Sequence, residues 1–556
     1  MSLDKVDLLF PHGEDAFTPL SDISFHDLGI DFIINKLTDK TEERLQFEQI
    51  FLKMTDDPNV TQYRIDIFDD IYNNPQMCTR LLEQLEKINY EKRFSRFTGN
   101  FEETNSAWEL LHHLEQLSGY IKSVESIHEC LEGYELKSEG INKLKNYINT
   151  IYTDNGFSEL KKDISQLKAS TDNLKSITLG INLNEKYEAN GIGLISFNKK
   201  PFTNSSAIGE FVTKVAQVEQ INQTTEWKNG TKFHSLETDN DIFTKILSIA
   251  GANDPRVQTA TFHMDKIANS MIGSIVHKLK NTLKKYVFIP VTEITDLIPQ
   301  FIFYIRFAEY IKKMQAKGFS FCKPSIALDK PKCYMDARGI YNFKLVSAFE
   351  EKDPSEIITN DLDFSADHLV YILTGANRGG KTTITQAIGL LFVLAQAGLY
   401  VPGQKFDFMP VDSIYTHFPA DEDKTLDLGR LGEECKRFKE LYTACSPTSL
   451  LLLNETYSTT SFEEGYFIAK DSVRAILAKG VRTIYNTHMH KLAFDIEEIN
   501  SSVASSCKYK AASLVVKAKD GQRSFKVELA PPEGVSFAKD IAQKYGVTFE
   551  MLTERK

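Results

Sequence analysis

Two short stretches of this sequence hold residue types at spacings that do chemistry. The first runs Gly375, Ala376, Asn377, Arg378, Gly379, Gly380, Lys381, Thr382, which fits G-x-x-x-x-G-K-[ST], with Thr383 next in line. Glycines in such a loop let successive backbone N–H groups curl around phosphate oxygens, and a helix starting there points its positive dipole end at the same anion. Lys381 would reach the β- and γ-phosphates, and the Thr382 hydroxyl would ligate Mg²⁺. These nine residues are the candidate nucleotide-binding set, and ATP with Mg²⁺ is the implied ligand pair. The second stretch is the apolar run Leu450 to Leu453 leading into Asn454-Glu455. Phosphate-loop ATPases place an acidic pair at the end of such a buried strand. The carboxylate in second place polarises the water that attacks the γ-phosphate, and the first place helps hold Mg²⁺. Here Asn454 takes the metal place, as a neutral amide, and Glu455 the catalytic one. After the next apolar run, Asn486-Thr487-His488 sets an imidazole where it could sense the γ-phosphate. The candidate catalytic residues are therefore Lys381, Glu455 and His488, and the candidate metal ligands Thr382 and Asn454.

These groups need elements to hold them. Leu369 to Leu373 is a short apolar run of the buried-strand kind, and the apolar run Ala387 to Ala395 predicts a buried helix directly after the loop. Val481 to Tyr485 predicts another buried strand. Lys508 to Ala518 and Ser524 to Ala530 alternate around Asp520-Gly521, which predicts a β-hairpin. Upstream the pattern is helical. Trp108, Leu111, Leu114, Leu117, Ile121, Val124 and Leu131 recur at spacings of three and four, and Phe157, Leu160, Ile164 and Leu167 do the same, so long helices pack lengthwise there. The helical period stops near Gly180, where Gly191 to Phe197 reads as a strand, and it returns near Arg256. The first forty residues, broken by Pro11 and Pro19, suggest no role.

Composition narrows the function classes. At 556 residues the chain has room for several cores, and 42% hydrophobic with 25% charged residues is the balance of a globular protein. Seven scattered cysteines without a C-x-x-C pair argue for a reducing cytoplasm and against a zinc site. The opening residues are not those of a signal peptide, and the longest apolar run is too short to span a bilayer. A net charge of -11 argues against a surface coated with nucleic-acid contacts, although Lys278, Lys280, Lys284 and Lys285 cluster on one predicted helix.

The C-terminal half resembles the ATPase domain of MutS-type DNA mismatch repair proteins. The residues that carry the likeness are Thr374 to Thr382, Tyr400 to Lys405, Pro410 to Tyr415, Leu426 to Arg430, Ser449 to Gly465, Thr487-His488, Pro532 to Ser536 and Tyr545-Gly546. Upstream, Tyr63 to Asp70 is similar to the opening of the family's helical core. The resemblance implies a multidomain fold: a long-helix, mainly α core and lever region followed by an α/β P-loop NTPase domain of the ABC/MutS type. Its expected divisions are an N-terminal segment over 1–40, the helical core and lever over 41–320 with a small clamp-like insertion at about 181–255, and the ATPase domain over 321–556. It also implies a homodimer that binds DNA, branched or mismatched, with a repair protein as a further partner, and that uses ATP binding and hydrolysis as a conformational switch in repair or recombination.

The sequence departs from the family pattern at several points. Proline and methionine of the usual loop are Ala376 and Arg378, where backbone amides do the cradling. Asn454 removes a negative charge beside Mg²⁺, which should slow hydrolysis or weaken metal binding. The Ser-Thr pair with which the family contacts its dimer partner's nucleotide is Leu431-Gly432, leaving Gly429 and Gly432 to offer backbone amides at a helix start. Phe-x-Glu, the family's mismatch wedge, occurs at Phe101, Phe349, Phe438 and Phe462, none in an N-terminal sensing domain, so direct mismatch recognition is not expected. A competing expectation is a nucleotide-gated interaction protein with weak or no hydrolysis that acts on a protein or on ribosomal RNA. An ABC-transporter ATPase subunit is a third reading, with nothing in the helical half to support it.

Overall fold

The computed structural model describes residues 6–12, 17–94, 107–171, 176–183, 185–187, 189–198, 273–283, 290–332, 334–348, 353–364, 367–375, 379–419, 429–505, 507–519, 522–532, 543 and 545–553. Two compact units account for it, one formed by Met1–Leu82, Gly133–Asn146 and Asp296–Lys556, the other by Glu83–Glu132 and Tyr147–Thr295. This division cuts across the boundaries expected at residues 40 and 320. Helices and several sheets are mixed in the chain, and the first unit holds the α/β part.

The elements of the first unit that matter for function are, in chain order, α1 (Asp22–Leu28), α2 (Pro58–Asn73), β1 (His368–Gly375), α3 (Lys381–Gln396), β2 (Ile414–His417), α4 (Arg430–Ala444), β3 (Leu450–Asn454), α5 (Phe462–Lys479), β4 (Arg482–Asn486), β5 (Lys510–Lys519) and β6 (Gln522–Leu529). The six strands form one sheet in the order β2-β3-β4-β1-β5-β6, parallel throughout except for the antiparallel β5–β6 hairpin. Parallel strands covered on both faces read as unbroken apolar runs, and Leu450 to Leu453 are all fully buried. The helix α3 is buried all round from Ala387 onward, so the apolar run after the phosphate loop is a core helix, as its composition predicts.

The first forty residues turn out to be part of this unit. Ser21 caps α1 by accepting from Ser24 N, and α1 docks by hydrogen bonds that no local pattern announces. Asp27 Oδ2 accepts from Thr416 Oγ1 at 2.6 Å at the end of β2, and its carbonyl accepts from Gln386 Nε2 of α3 at 2.8 Å. A second, four-stranded sheet orders Ser325–Ile326, Lys405–Phe408, Met335–Ile340 and Asn360–Phe364 side by side.

The second unit is built mainly on long helices, Ala107–Glu132, Asn155–Thr171 and Gly273–Leu283. The expected seam exists: Leu114, Leu117, Ile121, Val124 and Leu131 are buried, as are Phe157, Leu160, Ile164 and Leu167. At its start Leu110 takes the buried place and Leu111 is only partly covered. The strand expected at Gly191 to Phe197 lies within Ala189–Asn198 and pairs antiparallel with Ser176–Leu183, a partner that the sequence did not single out. Most of the expected clamp-like insertion, 199–255, and Lys284 and Lys285 of the basic cluster lie outside the described residues. Among the described residues, no helix is long and apolar enough to cross a membrane.

Candidate nucleotide site

Three parallel strands end at one place. Gly375 closes β1, Asn454 closes β3 and Asn486 closes β4, with Asn454 and Asn486 register partners on neighbouring strands. In open α/β sheets, ligands bind in the crevice beyond these carboxyl ends. Gly375 has φ of 139°, and a side chain there would put its Cβ 2.9 Å from Val516 Cβ on β5, so only glycine lets the chain leave the strand in this direction. Gly380, at φ 87°, forms the N-terminal cap of α3. A Cβ on it would come within 3.3 Å of the Phe525 ring, and its absence leaves an open cradle against the helix start. Ala376, Asn377 and Arg378 of the predicted loop lie outside the described residues.

A cavity of about 770 Å³ opens over this junction, lined by Gly379, Gly380, Lys381, Thr382 and Thr383 together with Glu455 and His488. Its size is in the range that takes a nucleotide-sized ligand. Lys381 is 5% exposed and donates to the Gly375 carbonyl at 3.2 Å. Burial pulls its ammonium pKa below the usual lysine value, with the Glu455 charge opposing that shift. Thr382 Oγ1 donates to Asn454 Oδ1 at 3.0 Å, bringing the two expected metal ligands into contact.

Glu455 lies just past β3 with φ of 54°, a left-handed backbone that a non-glycine residue adopts at a cost. Its N–H donates to the Asn486 carbonyl at 2.8 Å, which holds that conformation in place. The side chain accepts from His488 Nε2 at 2.9 Å, both groups being partly open to solvent. Burial and the Lys381 charge lower the His488 pKa, and Glu455 works in the opposite direction. In its neutral form the imidazole carries its proton on the nitrogen facing the carboxylate, as a donor to it.

Four of the five candidate catalytic and metal residues, Lys381, Thr382, Glu455 and His488, thus line one cavity, and the buried Asn454 joins the set through its bond with Thr382. Several residues that line or support it carry no short motif. Asn342 Nδ2 donates to the Thr383 carbonyl at 2.8 Å and steadies the first turn of α3. Asn360 grips β6 twice, donating to the Phe525 carbonyl at 3.2 Å and accepting from Val527 N at 2.8 Å. Phe525 has φ of 56° and faces the cavity, which Tyr341, Leu345, Ile357 and Ile358 also line. This supplies an apolar surface beside the polar one. The helix start at Leu431-Gly432 is as expected, with Gly429 the cap of α4, but the Leu431 side chain packs on the core of Leu451, Leu453 and Val473. Of the Phe-x-Glu matches, Phe438 is buried, Phe462 opens α5, and Phe101 and Phe349 lie outside the described residues.

The donor set suits Mg²⁺ in kind: a hydroxyl and an amide oxygen are hard oxygen ligands, and phosphate oxygens and water would complete the shell. The side-chain partners of Thr382 are the two amides of Asn454 and Asn486, so the neutral character expected from Asn454 extends to its neighbour.

Comparison with known families agrees with this geometry. Residues 371–547 match MutS domain V, and residues 56–316 match the MutS2 N-terminal domain. The chain belongs to the MutS family. Among similar MutS-family proteins, the DNA mismatch repair protein MutS 2 of Halobacterium salinarum is 29% identical over 204 residues, 35% of this chain and 24% of its own length. A DNA mismatch repair protein MutS of Granulibacter bethesdensis is 31% identical over 179 residues, covering 32% and 19%. The endonuclease MutS2 of Caldicellulosiruptor bescii is 25% identical over 273 residues, covering 47% and 33%. The matched part of this MutS-family chain spans a third or less of each of these relatives.

Proposed function

We propose that this chain binds ATP with Mg²⁺ at the β1–α3 junction, hydrolyses it slowly, and uses the nucleotide state to switch its hold on DNA. The observation that carries the reading is the convergence of Lys381, Thr382, Glu455 and His488 on one cavity at the carboxyl ends of three parallel strands, with Asn454 bonded to Thr382 behind it. Lys381 and the amides of Gly375 to Thr383 hold the phosphates. The apolar lining of Ile357, Ile358 and Phe525 takes the base. Thr382 and Asn454 hold Mg²⁺, which neutralises charge on the β- and γ-phosphate oxygens when bound. Glu455 orients and polarises the water that attacks the γ-phosphorus as the bond to the β-phosphate oxygen breaks, giving ADP and phosphate. His488, bonded to Glu455, fixes that carboxylate and registers whether the γ-phosphate is present.

The names of the relatives, DNA mismatch repair proteins among them, support DNA as the partner. We further take that DNA to be branched or mismatched, the working form to be a homodimer, and a repair protein to be a further partner. A second reading keeps the nucleotide site with weak or no hydrolysis: a nucleotide-gated binding protein acting on a protein or RNA. The neutral Asn454 against Thr382 favours slow chemistry. Binding of a fluorescent ATP analogue should fall at least about tenfold, 1.4 kcal/mol, in Lys381→Ala. Unchanged binding would remove the site. ATP turnover measured with branched DNA, matched duplex and RNA over a salt series separates the two readings, because phosphate contacts make affinity fall steeply with salt. Stimulation by DNA alone supports the first; stimulation by RNA alone, or indifference to every nucleic acid at low salt, supports the second.

A further inference from the structure

Beside the metal position stands a second asparagine. Asn454 and Asn486 face each other on neighbouring strands, 6% and 0% exposed. Asn454 Oδ1 accepts from both Thr382 Oγ1 and Asn486 Nδ2, and the same Asn486 Nδ2 lies 3.4 Å from Thr382 Oγ1. Asn486 Oδ1 is buried and has no partner among the described residues.

A carboxylate offers a cation two equivalent oxygens. An amide offers one oxygen and one NH₂ group, and only the oxygen can ligate a metal. A buried asparagine at a metal position is therefore useful only if its neighbours decide which end faces outward. If Asn454 alone were reversed, its NH₂ would meet the NH₂ of Asn486, donor against donor. If both amides were reversed, the contact would be restored, but the NH₂ of Asn486 would occupy the place that now has no partner. An orphaned buried donor is rarer in proteins than an under-satisfied carbonyl, so this arrangement is the costlier one. The asymmetry of Asn486's surroundings thus settles the orientation of Asn454.

From this network we infer that Asn486 is a positioning residue that turns the Asn454 amide oxygen toward Thr382 and so creates a neutral Mg²⁺ site. The inference rests on the nucleotide-site reading and adds to it a residue that touches neither the metal nor the nucleotide. It also explains how the site works without the usual carboxylate: one amide ligates and the other orients it.

The test uses Mn²⁺ as the probe ion, with the full chain and a non-hydrolysable ATP analogue, bound ion being read by electron paramagnetic resonance. Analogue affinity in excess EDTA is the second readout. Loss of an orienting partner typically weakens a metal site about 10- to 100-fold, and Asn486→Ala should weaken Mn²⁺ binding by that factor while metal-free analogue affinity stays within about twofold. Asn486→Leu, which keeps the bulk and removes the donor, should behave alike and guards against a cavity that prevents folding. Adding Asn454→Asp to Asn486→Ala should restore Mn²⁺ affinity, because a carboxylate needs no orienting. Unchanged Mn²⁺ affinity in both single variants overturns the inference, as does a double variant no tighter than Asn486→Ala. Failure of the underlying site reads differently: the unaltered protein would then bind the analogue neither with Mn²⁺ nor in EDTA.

Discussion

Arg64 of α2 donates from Nη1 to the main-chain carbonyl of Gln396, the last residue of α3, at 2.9 Å across 332 positions of sequence. The last carbonyls of a helix have no partners within it, and a cation there also suits the negative end of the dipole. The same guanidinium, 1% exposed, donates to the carbonyls of Leu9 and Lys53 and lies over the Phe10 ring. The helix that begins at the candidate nucleotide site is thus tied at its far end to α2 and to the N-terminal segment. Arg64→Leu should destabilise the first unit by about 3 kcal/mol, because several buried carbonyls lose their donor together. Arg64→Lys should fail to rescue it, since one compact ammonium cannot replace a planar fork. Urea unfolding measures both, and a stable Arg64→Lys protein would contradict the bridging role.

Glu455→Gln keeps the shape of the site and removes the proposed base. ATP hydrolysis in single-turnover experiments should fall about 100-fold or more, in line with loss of a general base, while ATP affinity changes little. His488→Ala should cost less, about tenfold, because it loosens the carboxylate without removing it. Equal losses in the two variants would mean that the imidazole does more than hold Glu455.

The parts of this site that the sequence announces are the local ones. Gly375 to Thr382 reads as a phosphate loop because glycine conformation and a helix start are properties of adjacent residues. Leu369 to Leu373 and Leu450 to Leu453 read as strands because both faces of the sheet are covered, which makes each an unbroken apolar run. What escapes is set by pairings far apart in the chain. Asn360 and Phe525 are 165 positions apart, Arg64 and Gln396 further still, and neither pairing leaves a periodic trace. Asn486 sits inside a stretch that draws notice for His488, yet its role depends on Asn454 lying opposite it. Leu431 stands where the family pattern has a hydroxyl, and its apolar side chain is used instead in packing on the core below α4.

His417 closes β2 almost fully buried, with Nδ1 3.1 Å from Thr456 Oγ1 and Nε2 3.3 Å from the Glu434 carbonyl. Burial, aided by the Arg437 charge, pushes its pKa down from 6.5 to about 4. Folding therefore favours the neutral ring. Its contribution is complete above pH 6.5 and is lost as pH falls from there through about 4, since the unfolded chain binds the proton more tightly. The amplitude is of the order of 3 kcal/mol. His417→Gln should flatten the acid limb of the stability curve across that window, measured as the difference in unfolding free energy between the two proteins. An unchanged slope would mean that other groups carry the acid sensitivity.

Phe525 offers the remaining test of how the cavity holds its ligand. Its left-handed backbone, at φ 56°, is unfavourable for an aromatic residue and persists because Asn360 bonds to its carbonyl and to Val527 N. That cost is offset if the ring stacks on the base, a contact worth about 1–3 kcal/mol in nucleic-acid sites when the aromatic is cut to alanine. Phe525→Ala should accordingly weaken ATP and ADP by the same factor, about tenfold, because the base is common to both. Asn360→Ala should show a smaller loss of the same kind, through the freed strand. A change confined to ATP would place the ring near the γ-phosphate, and no change in either affinity would remove Phe525 from the site.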